Sequence, residues 1–212
     1  LFMQGKAVDT LRTDITGIVV LDRTPFYAES GGQVGDRGHI VRDEVTFEVI
    51  DTREQAGLFL HIGQMRNGGL TKGDSVCAEV DRSRRQATTL NHSATHLMHA
   101  ALRIVLGNHV EQRGSLVDAA RTRFDFSHPQ PMTIDERHEV ERMVNQEIRN
   151  NIIASADIVP YREAVDGGAM ALFGEKYGDE VRVLRIGDFS IELCGGTHVA
   201  RTGDIGAFKI LS

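Results

Sequence analysis

Apolar and polar positions alternate over the first third of the chain, and the period changes to a helical one in the second. Around Val45, Phe47 and Val49 every second residue is apolar, which predicts a strand over Ile40–Asp51. Ile15–Leu21 is mostly apolar, and Leu58–Gly63 and Ser75–Val80 are further short strands separated by glycine turns such as Asn67-Gly68-Gly69. Short strands at this spacing predict a small β-barrel-like subdomain over residues 1–85. From Arg85 the period lengthens: Leu90, Ala94, Leu97, Met98, Ala101, Leu102 and Val105 share a helical face until Gly107-Asn108 ends it. Ser115–Phe126 reads as two strands about Asp118-Ala119-Ala120. Thr133 with Glu136 three residues on is a capping box that opens a second helix, running to about Asn151.

Beyond it, Ala154–Val159 reads as a strand, Tyr161–Leu172 as a short helix and Val181–Ile186 as a strand. Phe189–Leu193 turns back across Gly187-Asp188 as a hairpin, and Ile205–Leu211 is a last strand. The whole predicts an α+β chain: residues 1–85 as the barrel-like part, then residues 86–212 as an antiparallel sheet with packed helices.

The 212 residues are 41% hydrophobic and hold no apolar run long enough to span a membrane. No signal peptide is visible, and the chain reads as a piece of a longer cytoplasmic protein. Two cysteines make no disulfide framework; Cys77 fits a small core residue, which leaves Cys194 for thiolate chemistry. The net charge of −6 argues against a general nucleic-acid binder. Locally, Arg82, Arg84, Arg85, Arg103, Arg113, Arg121 and Arg123 outnumber Glu111 and Asp118, a basic stretch that suits either a phosphate backbone or a solvated face.

Two short stretches carry candidate chemistry. In Asn91-His92-Ser93-Ala94-Thr95-His96 the histidines are four apart, so a helix sets both imidazoles on one face. In Cys194-Gly195-Gly196-Thr197-His198 two glycines allow a tight turn that folds Cys194 and His198 toward one ion. Three imidazoles and a thiolate suit zinc, which is tetrahedral and borderline soft. The His-Glu-x-x-His protease pattern is excluded, because the position of its general base is Ser93. His99 lies one turn further along the same face.

These stretches also carry a family likeness. Leu21–Tyr27, Glu29–Asp36, the histidine helix, His109–Val117, Arg123–His128, Gly168–Tyr177 and Cys194–His198 occur in one order over nearly the full length. Together they resemble the editing domain of alanyl-tRNA synthetase of the bacterial type. The chain is similar, more distantly, to free-standing trans-editing proteins and to the editing region of threonyl-tRNA synthetase. The resemblance implies the fold common to those editing domains, and one zinc ion per chain on His92, His96, Cys194 and His198. It implies hydrolysis of the ester that joins serine or glycine to the acceptor end of alanine tRNA, with the alanine ester spared. Partners would be that acceptor end and the remaining domains of the synthetase.

Within that likeness, the hydroxyl of Thr24 and the amide of Gln112 are candidates to bind a serine hydroxyl. Gly31, Gly32 and Arg123 are candidates for substrate binding. Taken alone, Thr24 before Pro25 suits a turn, Gln112 a surface loop, the Gly31-Gly32 pair a tight turn, and Arg123 an ion pair with Asp125. Four protein ligands also match a closed structural zinc site, whereas catalytic zinc keeps one position open. A non-catalytic zinc module that binds the tRNA acceptor end is therefore the second reading.

Overall fold

The computed structural model describes residues 1–170 and 177–212, in two compact units, residues 1–86 and 87–212. Each has its own apolar core.

The regular structure of the first unit is all strand until α1 begins in its last residues, with a long strand-free stretch over 20–37. Its strands are β1 (Phe2–Met3), β2 (Lys6–Ala7), β3 (Thr10–Arg12), β4 (Thr16–Val19), β5 (Gly38–Arg42), β6 (Val45–Gln55), β7 (Leu58–Asn67), β8 (Gly69–Thr71) and β9 (Cys77–Val80). Seven of them form one antiparallel sheet in the order β2-β1-β4-β7-β6-β5-β9, and β3 pairs with β8 apart from it. Alternation along β5 and β6 turns Ile40, Phe47 and Val49 inward, where they meet Leu11, Val19, Phe26, Met65 and Leu70.

The sheet is open, and the expected barrel does not close among the described residues. Its edges are β2, with two exposed residues, and β9, with four residues that alternate exposed and half-buried. Closure needs backbone pairing between the two edge strands, and β2 and β9 pair only with β1 and β5 among the described residues. Cys77, expected in the core, is exposed on that edge strand. The single strand expected over Ile40–Asp51 is instead a hairpin of β5 and β6. The chain reverses at Asp43, whose positive φ of 52° suits a short acidic side chain.

The second unit takes up α1 (Arg82–Leu106) after its first turn, then β10 (Gln112–Val117), β11 (Thr122–Phe126), α2 (Ile134–Asn150), β12 (Ala154–Pro160), α3 (Tyr161–Asp166), β13 (Glu180–Ile186) and β14 (Ser190–Leu193). Strands β12, β13 and β14 form an antiparallel sheet, and β10 and β11 a separate hairpin. Leu97, Ala101 and Leu102 of α1 pack with Val140, Val144 and Ile148 of α2 and with Leu184 and Ile186 of β13. The α2 capping box forms in both directions: Glu136 N–H donates to the Thr133 hydroxyl, and Thr133 N–H to the Glu136 carboxylate.

Two expectations change here. The helix from Tyr161 ends at Asp166 against Gly167, while Ala171 and Leu172 of the expected span lie outside the described residues. Ile205–Leu211 forms no strand, because helix side chains take its backbone groups. Phe208 exchanges hydrogen bonds with the Asn145 side chain (2.9 and 2.8 Å), and Ile210 N–H donates to Glu141 (2.8 Å). No helix among the described residues is long and apolar enough to cross a membrane.

Candidate metal centre

The metal-ligand pairs meet inside the second unit. Helical spacing puts His92 and His96 on the buried face of α1 with their rings stacked, centroids 5.1 Å apart. Cys194 and His198 follow β14, and the His198 ring lies 4.5 Å from that of His92 and 5.0 Å from that of His96. One ligand atom from each of the four residues falls within 4.8 Å of the others. The Cys194 sulfur lies 3.5 Å from His92 Nε2 and 3.2 Å from His198 Nε2. Nitrogen at about 2.0 Å and sulfur at about 2.3 Å from a tetrahedral ion stand roughly 3.3–3.7 Å apart; the two sulfur contacts lie close to that, and the whole set, within 4.8 Å, is somewhat wider.

The surroundings also fit. His96 Nε2 is buried with no hydrogen-bond partner, while its Nδ1–H donates to the Glu192 carboxylate at 2.9 Å. That tautomer leaves the Nε2 lone pair free for a metal. Glu192 is 2% exposed and also accepts from His99 Nδ1 (3.3 Å) and from the Ser190 hydroxyl (3.1 Å). The Cys194–Gly196 loop is braced by Arg182, whose guanidinium donates to the carbonyls of Cys194 (2.9 Å) and Gly196 (2.8 Å). Ser93 accepts from Val199 N–H (3.0 Å) and lies 3.4 Å from His198 Nδ1. The residue that stands where a protease glutamate would be therefore ties the helix to the cysteine loop.

The field of the site favours positive charge at its centre. Burial pushes the Cys194 thiol up, but contacts with His198 and His92 and the neighbouring charge of His96 outweigh it and hold the thiol well below its usual range. Burial likewise opposes ionisation of Glu192, and the neighbouring His96 and His99 outweigh it. Burial disfavours charge on His96 too, yet Glu192 and then Cys194 raise it to about 10. Burial holds His198 down to about 4, as a neutral donor. Two anionic groups thus flank the His96 ring, and a bound cation answers the same field.

Of the other predicted residues, Gln112 and Arg123 belong to this unit. Gln112 is half-buried at the start of β10, not on a loop, and its amide donates to the Ser115 hydroxyl at 3.4 Å. Arg123 is exposed on β11 and pairs with Asp125 at 3.2 Å. Thr24, Gly31 and Gly32 belong to the first unit. The Thr24 hydroxyl lies 2.7 Å from His61 Nε2. Gly31 and Gly32, at φ 56° and 85°, make the two-residue turn of a small hairpin between Ser30 and Gln33. The glycine that a close approach requires is Gly35, where a Cβ would stand 2.1 Å from the Thr52 carbonyl oxygen. Asp36 beside it is nearly buried and held by the Arg85 guanidinium, which also donates to the Pro25 carbonyl at 2.8 Å.

Known proteins resemble the chain from end to end. A family model described as tRNA synthetases class II (A) matches residues 1–84, and one described as Threonyl and Alanyl tRNA synthetase second additional domain matches residues 181–212. An alanine–tRNA ligase of Methylococcus capsulatus is 61% identical over the whole chain, which covers 25% of that relative. Those of Acidithiobacillus ferridurans and Bordetella avium are 58% and 60% identical, again over the whole chain and over 24% of each relative. Over its whole length the chain is thus similar to one part of the alanine–tRNA ligases. It spans about a quarter of the length of the curated relatives it matches. The second additional domain match takes in β13 from its second residue, β14, Glu192, Cys194 and His198, and so one half of the candidate metal-ligand set.

Proposed function

We propose that this chain is the editing domain of an alanyl-tRNA synthetase, and that it hydrolyses the ester of serine or glycine wrongly joined to alanine tRNA while sparing the alanine ester. The observation that supports this most is the cluster of His92, His96, Cys194 and His198, whose ligand atoms lie within 4.8 Å of one another, in a chain that matches alanine–tRNA ligases over its whole length. Physical chemistry supplies the need. A pocket for alanine cannot exclude the smaller glycine by size, and it rejects serine poorly because serine only adds a hydroxyl. A second site must then remove both.

The ion proposed at the cluster is zinc, one per chain, which when bound can lower the pKa of a water or anchor the substrate's amino group. The chain's own residues do the rest. Glu192 fixes the His96 tautomer, while Arg182 and Ser93 brace the loop that carries Cys194 and His198. Thr24 and Gln112 are proposed to meet the serine hydroxyl, and Gly31, Gly32 and Arg123 to meet other parts of the substrate. The alanine tRNA acceptor end is the proposed partner, the other synthetase domains hold the rest of the tRNA, and the setting is the cytoplasm.

One observation favours the second reading, a zinc module that binds the acceptor end without chemistry: four protein ligands match a closed structural site. The test mixes zinc-assayed protein with serine-charged and alanine-charged alanine tRNA and follows ester loss. Loss of the serine ester with the alanine ester retained is the expected result. Retention of both esters, with protein in large excess and zinc at one per chain, overturns the hydrolase in favour of the binding module.

A further inference from the structure

His61 is a buried polar residue of the first unit that the reaction outlined above does not use. It stands on β7 opposite Val19 of β4, and it is 0% exposed. Its Nδ1 lies 2.9 Å from the Val19 carbonyl oxygen, which can only accept, so Nδ1 carries the ring proton. Nε2 then presents a lone pair, 2.7 Å from the Thr24 hydroxyl. The Thr24 hydroxyl proton is taken by that nitrogen. Its oxygen in turn accepts from Phe26 N–H at 3.1 Å, and the Phe26 ring sits edge-on to His61 with centroids 5.1 Å apart. A hydroxyl has one proton and two lone pairs. Here the proton and one lone pair are committed, and one lone pair remains on a half-buried side chain.

We infer that His61 is a positioning residue that makes Thr24 an obligate hydrogen-bond acceptor, so that the Thr24 side chain selects ligands carrying a donor group such as the hydroxyl of serine. This rests on the editing reading above for the identity of the ligand. The hydroxyl cannot rotate to offer its proton without leaving His61 Nε2 buried and unpaired, a penalty that keeps it in place before any ligand arrives. The neighbouring chain is held as well: Arg85 donates to the Pro25 carbonyl, and Tyr27 N–H donates to the Asp36 carboxylate at 2.7 Å. The result is a fixed acceptor, which rewards a serine hydroxyl and offers glycine nothing.

The experiment compares deacylation of serine-charged and glycine-charged alanine tRNA by the full chain, its His61→Phe, His61→Gln and Thr24→Val variants, with a ¹⁵N spectrum of the imidazoles. In the wild-type spectrum His61 should carry its proton on Nδ1, with Nε2 unprotonated and hydrogen-bonded; Thr24→Val should shift the Nε2 resonance and leave Nδ1 protonated. Thr24→Val should cut the serine-to-glycine rate ratio about tenfold or more, and His61→Phe about fivefold. His61→Gln, whose amide oxygen can accept in place of Nε2, should restore most of the ratio. A purely structural role would lower both rates together and leave the ratio alone. That outcome, or a proton on Nε2, overturns the inference while the editing reading stands. A wild-type chain inert toward both esters overturns the editing reading and the serine assignment with it.

Discussion

Replacing Glu192 by glutamine should weaken binding at the proposed zinc site by about 10- to 100-fold while the fold survives. The carboxylate is 2% exposed and accepts from three groups: His96 Nδ1 at 2.9 Å, His99 Nδ1 at 3.3 Å and the Ser190 hydroxyl at 3.1 Å. Glutamine has the same shape. Its carbonyl oxygen can face the two imidazoles, and its NH₂ can face Ser190, whose hydroxyl turns to accept. What disappears is the charge. A hydrogen bond to a charged group contributes about 1.5–3 kcal/mol and one between neutral groups about 0.5–1.5 kcal/mol, so the His96 bond alone loses about 1–2 kcal/mol. That is roughly 5- to 30-fold, and the weaker His99 bond carries the total toward the upper figure. Competition against a chromophoric chelator measures the affinity, and circular dichroism checks the fold. A folded Glu192→Gln chain that binds zinc within threefold of wild type would refute the claim that this carboxylate tunes His96.

The glycines of the first unit should part company under mutation. Gly31→Ala meets nothing within 4 Å and bears only its positive φ of 56°, about 1–2 kcal/mol, whereas Gly35→Ala collides with the Thr52 backbone and should cost about 2–4 kcal/mol in denaturant melts. Arg85→Ala leaves the nearly buried Asp36 without its cation and should cost about 2–3 kcal/mol in the same assay; a loss under 0.5 kcal/mol would show that water replaces the arginine. Burial lowers the pKa of His61 from the usual 6.5, so the unfolded chain takes up the proton first. The stability this group confers is complete above about pH 6.5 and erodes as pH falls below it, by at most about 1.4 kcal/mol per pH unit. His61→Gln should flatten the melting curve between pH 7 and 5 relative to wild type, and an unchanged slope would exclude His61 as the cause.

Local signals in the chain were enough for some elements and not for others. The α2 capping box and the apolar period of α1 are written in neighbouring residues, and the helix spacing of His92 and His96 needs no tertiary knowledge. The α+β class followed from the same periods. Glu192 was invisible because it alternates with Ser190 along β14 like any polar face; only α1, some ninety residues earlier, makes that face the inside. Ser93 read as a missing glutamate, and its service to Val199 depends on the same docking. Gly35 looks no different from Gly31 until β6 brings Thr52 against it. Ile205–Leu211 has the alternation of a strand, yet Asn145 and Glu141 on α2 supply its backbone partners. Side chains that bond to backbone across long sequence separations leave no periodic trace.

The ligand pairs also set a timetable. His92 and His96 stand on α1, and Cys194 and His198 after β14, about a hundred residues later, so an ion between them would clasp a loop whose closure in the unfolded chain costs about 4–5 kcal/mol of entropy. A ribosome extends the chain from its amino end at about 5–20 residues per second. The helix therefore emerges carrying half a site, and the thiolate follows ~5–20 s later. During that interval α1 can offer an ion only two imidazoles, while the first unit is already complete in sequence. A metal held by all four residues can therefore be captured only late in the second unit's synthesis, after Cys194 and His198 have emerged.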